Sequence, residues 1–156
     1  MTEDPELQLA AYGRTLADAI EAAIPGWVVR QVRKVMEAQS GDCPSAVSEE
    51  AAVAGRQAGD DVGPRIRQLL AADVDDQRTT PLAIIRGAVR YPTEVLRAAG
   101  AAPAARDRFA VQSFPDDVYD LTPASFADLD PDDPGLAEAG LSWGAAKAFV
   151  HRRRHS

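Results

Sequence analysis

Apolar residues recur at helical spacing along almost the whole chain. One such series comprises Leu9, Leu16, Ile20 and Ile24. This spacing places the apolar side chains on one face of a helix, whereas a half-buried strand needs alternation with a period of two. No sustained alternating run of β-branched or aromatic residues is present. The sequence therefore predicts an all-α fold, a single compact domain of about six to eight helices.

Prolines punctuate this helical pattern. Pro25 is expected to end the first helix, and Gly63-Pro64 to break or kink a later one, because proline lacks the N–H and clashes with the preceding turn. Three helix starts are indicated by a capping residue before a proline: Asp4-Pro5, Thr80-Pro81 and Asp133-Pro134. Within the single domain 1–156 we expect a long broken helix over 46–80, short proline-started helices over 81–113, an acidic proline-rich segment over 114–134, and a C-terminal helix with a basic tail over 135–152.

Charge and cysteine content limit the function classes. The chain of 156 residues has 24 acidic against 17 basic residues, a net charge of -7, which argues against a nucleic-acid binder that uses its whole surface. The single cysteine, Cys43, cannot form an internal disulfide, as is typical of cytoplasmic proteins. No signal-peptide pattern is present, and no apolar run approaches the ~18 residues of a membrane span. A cytoplasmic protein that does not enter the membrane is expected.

The stretch "GLSWG" (140–144) matches the nucleophile elbow of α/β-hydrolases. That chemistry needs a serine in a sharp turn between a strand and a helix, with an acid and a histidine later in the chain. Here the motif lies within a helical pattern, and no acidic residue follows Ser142. A structural role is favoured, in which Gly140, Gly144 and Ala148 let another helix approach closely.

Other reactive residues lack the partners that their chemistry needs. The run "DLDPDD" (128–133) opens like a calcium loop, but Ala139 stands where an EF-hand has a bidentate glutamate. His151 and His155 have the spacing of two zinc ligands but flank three arginines. Cys43 has a neighbouring carboxylate, which disfavours the thiolate. We therefore expect no cofactor and no metal site, and a protein that is not an enzyme.

The segment "FPDDVYDLTPASFADL" (114–129) combines rigid turns with isolated aromatic and acidic residues. It can close over the chain's own core as a lid, with its aspartates in water, or dock a basic partner through its aromatic side chains. The lid is the favoured interpretation and docking the alternative. An enzyme with a carboxylate site built from Asp116, Asp117 and Asp120 is a weaker third. The candidate docking residues are Phe114, Asp116, Asp117, Tyr119, Asp120 and Phe126.

Arginines form the second charged feature. Arg86, Arg90 and Arg97 are expected along one side of their helical segment, and "HRRRH" (151–155) supplies a basic tail. The leading hypothesis is a non-enzymatic helical adaptor or regulatory protein whose partner is another protein. The alternative is an accessory factor that binds nucleic acid or a nucleoprotein complex through the arginine face and the tail. Either hypothesis is compatible with a homo-oligomer.

The C-terminal half carries a resemblance. The stretches "PLAIIRGAVRYPTEVLRAAG", "FPDDVYDLTPASFADLDP" and "GLSWGAAKAFVHRRR" resemble a family of short cytoplasmic proteins from high-GC actinobacteria. The resemblance covers the chain from Pro81 onward. Because no activity, cofactor or catalytic residue is attached to that family, it implies only a cytoplasmic bacterial setting.

Trp143 is the most informative single apolar residue of the last helix. It lies at the centre of that helix's apolar stripe, flanked by Gly140 and Gly144. A glycine on each side lets a neighbouring helix come close enough to enclose the indole. We predict that Trp143 is buried against the Leu82–Leu96 segment.

Overall fold

The computed structural model describes residues 4–72, 80–104 and 117–155. Every regular element in these ranges is helical, which confirms the all-α prediction. The elements are α1 (Pro5–Ser40), α2 (Ser45–Ala71), α3 (Pro81–Arg86), a 3₁₀ turn (Gly87–Val89), α4 (Arg90–Ala98), a second 3₁₀ turn (Phe126–Asp128) and α5 (Pro134–Arg154). Because α3, the first 3₁₀ turn and α4 follow without a gap, they form one helical rod, called here segment 81–98. The described ranges thus hold four helical rods, and the expected six to eight was too many.

The predicted helix starts are confirmed by their caps. Each capping side chain accepts a hydrogen bond from a backbone N–H of the first turn, which would otherwise have no partner. The bonds run from Glu6 to Asp4 (3.0 Å), from Ala83 to Thr80 (3.2 Å) and from Gly135 to Asp133 (2.9 Å).

Pro25 does not end the first helix, contrary to the prediction. α1 continues through it from Pro5 to Ser40. A proline inside a helix costs about 3 kcal/mol, but Ile24 and Trp27 on either side of it are buried almost completely. Tertiary packing of this face therefore outweighs the local cost of the proline.

The later prolines also lie inside helices. α2 runs unbroken through Gly63-Pro64 to Ala71, so the break expected within 46–80 is absent from the described part of that range. Pro92 lies inside α4 and does not begin a helix. A proline ring would clash with the carbonyl group four residues earlier, at Ala88, and the tighter 3₁₀ turn lies at this position. The remainder of the range 81–113 after Ala104 lies outside the described residues.

α1 and α2 form an antiparallel hairpin whose backbones approach closely. The contact is made by glycines of α2 spaced four apart. A Cβ atom added to Gly55 would lie 2.7 Å from the carbonyl oxygen of Pro25, and one added to Gly63 would lie 2.9 Å from the Glu21 carboxylate. The atoms near Gly55 belong to the α1 backbone, so only glycine fits there without displacing α1, and this position limits the spacing of the hairpin. The Glu21 carboxylate near Gly63 is the end of a flexible side chain and can move aside.

The remaining elements cover the hairpin. Segment 81–98 packs against α1 and α2, and α5 lies along α1 with Arg154 bonded to Glu6. Residues 117–133, called here the acidic strap, connect to α5. The fully buried large side chains are Leu16, Ile20, Ile24, Trp27, Val28, Val32, Val62, Ile66, Ile85, Leu96, Leu129 and Leu136.

Trp143 has a different neighbour from the one predicted. It is half-buried, and its Cδ1 atom would lie 3.8 Å from a Cβ atom added to Gly13 of α1. The Lys147 ammonium lies 5.0 Å from the indole centroid on the other side. The indole therefore packs against α1, and the prediction of burial against Leu82–Leu96 was wrong.

Candidate functional site

The acidic strap packs its apolar side chains inward. Tyr119 is only 5% exposed, and its hydroxyl donates a hydrogen bond of 2.9 Å to the carbonyl of Ala101. Leu129 is fully buried, and the half-buried Phe126 ring lies against Gly140, where an added Cβ atom would come within 2.5 Å of it. The small residue at 140 therefore accommodates this ring, whereas a close-packed helix was expected there. The strap therefore closes over the chain's own core as a lid.

Asp117 holds the strap in its folded form. Its buried carboxylate accepts hydrogen bonds from the backbone N–H of Leu121 (2.8 Å) and from the backbone N–H (2.8 Å) and hydroxyl (2.6 Å) of Thr122. Asp120, which lies between Asp117 and Leu121 in the chain, has a φ of 57°. This is a left-handed conformation that aspartate tolerates better than most residues. Asp117 is thus a structural anchor in the interior.

The candidate docking residues therefore do not form one exposed surface in the described part of the chain. The expectation that Asp117 and Tyr119 lie on the surface was wrong, because both are buried, whereas Asp120 is exposed. Phe114 and Asp116 lie outside the described residues. Among the residues that are described, no group of three or more side chains is placed to hold a metal ion.

Replacing Asp117 by asparagine is expected to lower the free energy of unfolding by about 1–2 kcal/mol. The reason is that the asparagine NH₂ group is a donor and must face N–H and O–H donors that now bond to a carboxylate. Urea denaturation followed by circular dichroism measures the loss. Asp132→Asn, in the exposed part of the strap, is the matched control and should change stability by less than about 0.5 kcal/mol. An equal effect of the two substitutions would contradict the anchoring role.

The strap lies across the basic side of α1. The carbonyl of Leu129 accepts a hydrogen bond from Arg30. A groove of about 730 Å³ separates the two elements and is lined by residues that include Trp27, Arg33, Lys34, Asp120 and Asp128. Sequence reasoning missed this arrangement, although the clustering of Arg30, Arg33 and Lys34 on one side of α1 was its signal. Aspartates of the strap and basic residues of α1 thus line the same groove.

The predicted arginine face is brought together in one groove. Arg86, Arg90 and Arg97 are all exposed and line a cavity of about 500 Å³ along segment 81–98. Its opposite wall includes Asp117 and Thr122 of the strap. The spacing of the arginines, four and seven residues, places them on one side of a helix. This groove is the candidate binding site.

Arg90 is held in place by its neighbours. Its guanidinium group donates a hydrogen bond of 2.8 Å to the Tyr91 hydroxyl and lies 4.7 Å from the ring centroid, and Nη2 is 3.6 Å from Oδ2 of Asp61. The bond to Tyr91, followed by the charges of Asp61 and Glu94, raises the pKa of Arg90 above its ordinary value. The groove therefore keeps this positive charge at any physiological pH.

The floor of the groove is closed. Thr93 is 4% exposed and its hydroxyl donates a hydrogen bond of 2.7 Å to the carbonyl of Val89. Val89 is also buried. The floor thus offers apolar surface and no nucleophile, and recognition rests on the charged side chains at the rim.

The basic tail is the end of a helix. α5 continues to Arg154, whose Nε lies 3.1 Å from the carboxylate of Glu6, and the rings of His151 and His155 are 4.5 Å apart between centroids. Ser142 lies within this helix with no strand before it in the described residues, so "GLSWG" does not form a nucleophile elbow.

The tail and the chain that follows α4 lie at different ends of α1. Arg154 contacts Glu6 in the first turn of α1, whereas Gln39 near its end exchanges two hydrogen bonds (2.6 and 2.8 Å) with Ala102, which follows α4. A helix of this length extends about 50 Å. The basic tail is therefore separate from the end of segment 81–98.

The comparisons with known proteins give no match. No family model matches the chain, and neither a curated protein nor a solved structure is similar to it. No helix in the described residues has the length and apolar character needed to cross a membrane.

Proposed function

We propose that this protein is a cytoplasmic, non-enzymatic helical adaptor that binds an acidic segment of another protein in the groove of Arg86, Arg90 and Arg97. The observation that carries the proposal is the convergence of these three exposed arginines on one groove. Guanidinium groups bind carboxylates through paired hydrogen bonds, and arginine is suited to this contact. An acidic peptide segment is the protein ligand that such a rim fits.

The charge of the whole molecule supports the same partner. The chain has a net charge of -7, so most of its surface repels an acidic segment. The arginine groove is a local exception. A positive patch on a negatively charged surface steers an acidic partner to one place and orientation. The groove therefore contributes specificity as well as affinity.

The geometry gives less support to nucleic acid. A nucleic acid that used both basic features would have to extend along α1 from the groove to Arg154. Binding of RNA or DNA remains the alternative, and it is distinguished by the following experiment.

Arg97→Ala is expected to weaken binding of a labelled glutamate-rich peptide by roughly three- to tenfold, because one charged contact contributes about 1 kcal/mol. Fluorescence anisotropy at low and high salt measures the affinity, which should fall as salt rises. Arg56→Ala removes the same charge from an exposed site on α2 that does not line the groove, and should change the affinity by less than twofold.

Two results would refute the adaptor proposal. One is the absence of peptide binding at low salt. The other is tighter binding of single-stranded RNA or duplex DNA than of the peptide, with the same loss in Arg97→Ala, which would favour the nucleic-acid alternative.

A further inference from the structure

α5 is apolar on two opposite sides. On its inner side Leu136 and Val150 are buried, 1% and 3% exposed. On its outer side Leu141 is 75% and Phe149 47% exposed. A helix with apolar residues all round is usually covered on every side, and large exposed apolar side chains on one face mark an interaction surface. The outer side of α5 therefore lacks a covering element among the described residues.

The residues of this outer side form a self-complementary series. At 100° per residue Glu138, Leu141, Ala145, Phe149 and Arg152 fall within an arc of about 80°. All five are exposed. They are arranged symmetrically about Ala145: Leu141 and Phe149 are four residues from it on either side, and Glu138 and Arg152 are seven. An antiparallel copy of the same helix centred on Ala145 would place unlike residues opposite each other.

We propose that two copies of this chain associate through antiparallel packing of their α5 outer faces, with the twofold axis at Ala145. Leu141 then packs against Phe149 of the second copy, and Glu138 pairs with Arg152 of the second copy. A twofold interface requires a surface that complements itself, and this series meets that requirement in both shape and charge. The alanine at the centre lets the two helices approach closely.

The expected dimer is weak. A single pair of helices buries less than the roughly 1,200 Å² of a stable interface, so a concentration-dependent dimer in the micromolar range is expected. The proposal does not depend on the arginine groove, because none of the five residues lines it. Each proposal can therefore fail without the other.

A charge-swap experiment tests the register. In the dimer, Glu138→Arg places an arginine opposite Arg152 of the other copy at both ends of the interface. Arg152→Glu likewise places a glutamate opposite Glu138 of the other copy at both ends. Each substitution is expected to raise the dissociation constant by about tenfold or more, measured by sedimentation equilibrium. The double variant restores the opposite charges and should return to within about threefold of the original. An equimolar mixture of the two single variants should form a mixed dimer more tightly than either forms with itself.

Other results would overturn the proposal. They are a monomer of 16.6 kDa throughout the micromolar range, a dimer that neither single substitution weakens, or weakening without rescue in the mixture. A monomer would indicate that another protein, or no protein, covers α5.

Because all substituted side chains are exposed, circular dichroism should show unchanged folding. Leu141→Asp is a second, independent test of the interface, because it should abolish the dimer without altering the melting of the monomer.

Discussion

Trp27→Ala should lower the free energy of unfolding by about 3–5 kcal/mol, the loss typical of truncating a fully buried tryptophan. Trp27 is 1% exposed and is the largest fully buried side chain among the described residues. Truncation removes its apolar contacts and leaves a cavity between α1 and the elements that cover it, which rigid neighbours fill only in part. Urea denaturation followed by far-ultraviolet circular dichroism gives the difference.

Trp143→Ala is the matched control for this experiment. The Trp143 side chain is only half-buried, with Lys147 on its outer side. Because the stabilisation depends on the apolar area removed from water, about half the loss is expected. A loss at Trp143 equal to or greater than the loss at Trp27 would show that α5, rather than the middle of α1, holds the larger share of the core energy.

Gly55→Ala should lower the free energy of unfolding by about 1–3 kcal/mol, even though alanine alone favours a helix by about 1 kcal/mol over glycine. The added Cβ atom would lie 2.7 Å from the carbonyl oxygen and 3.0 Å from the Cα of Pro25. These are backbone atoms, so no side-chain rotation relieves the clash and α1 must move away from α2.

Gly144→Ala makes the same chemical change where the helix has room. No atom lies within 4 Å of the Cβ that would be added in α5. This substitution is expected to stabilise the protein by up to about 1 kcal/mol. Opposite signs for the two substitutions in thermal and urea melts support the close contact of α1 with α2. Stabilisation by both would contradict it.

The sequence predicted the features that depend on local chemistry. The caps at Asp4, Thr80 and Asp133 require only a side-chain oxygen near the first turn. The common side of Arg86, Arg90 and Arg97 also follows from spacing alone, which is why the candidate site could be anticipated.

The features that were missed depend on distant residues. Pro25 is tolerated because the face of α1 that carries Ile24 and Trp27 is buried by residues distant in the chain. The apolar stripe of α5 indicated that Trp143 faces the protein, but the choice of α1 over segment 81–98 as its neighbour depends on Gly13. The burial of Tyr119 likewise depends on the carbonyl of Ala101. No short-range pattern encodes such pairings.

The position of α5 along α1 has a consequence for synthesis on the ribosome. α1 and α2 emerge early and can pair, whereas the side of α1 that α5 covers stays open until α5 has been translated. At about 5–20 residues per second this interval lasts on the order of ten seconds. During that time the nascent hairpin presents apolar surface to solvent, and its packing is completed only when α5 arrives. We therefore expect slow translation between the two elements to increase the demand for chaperones.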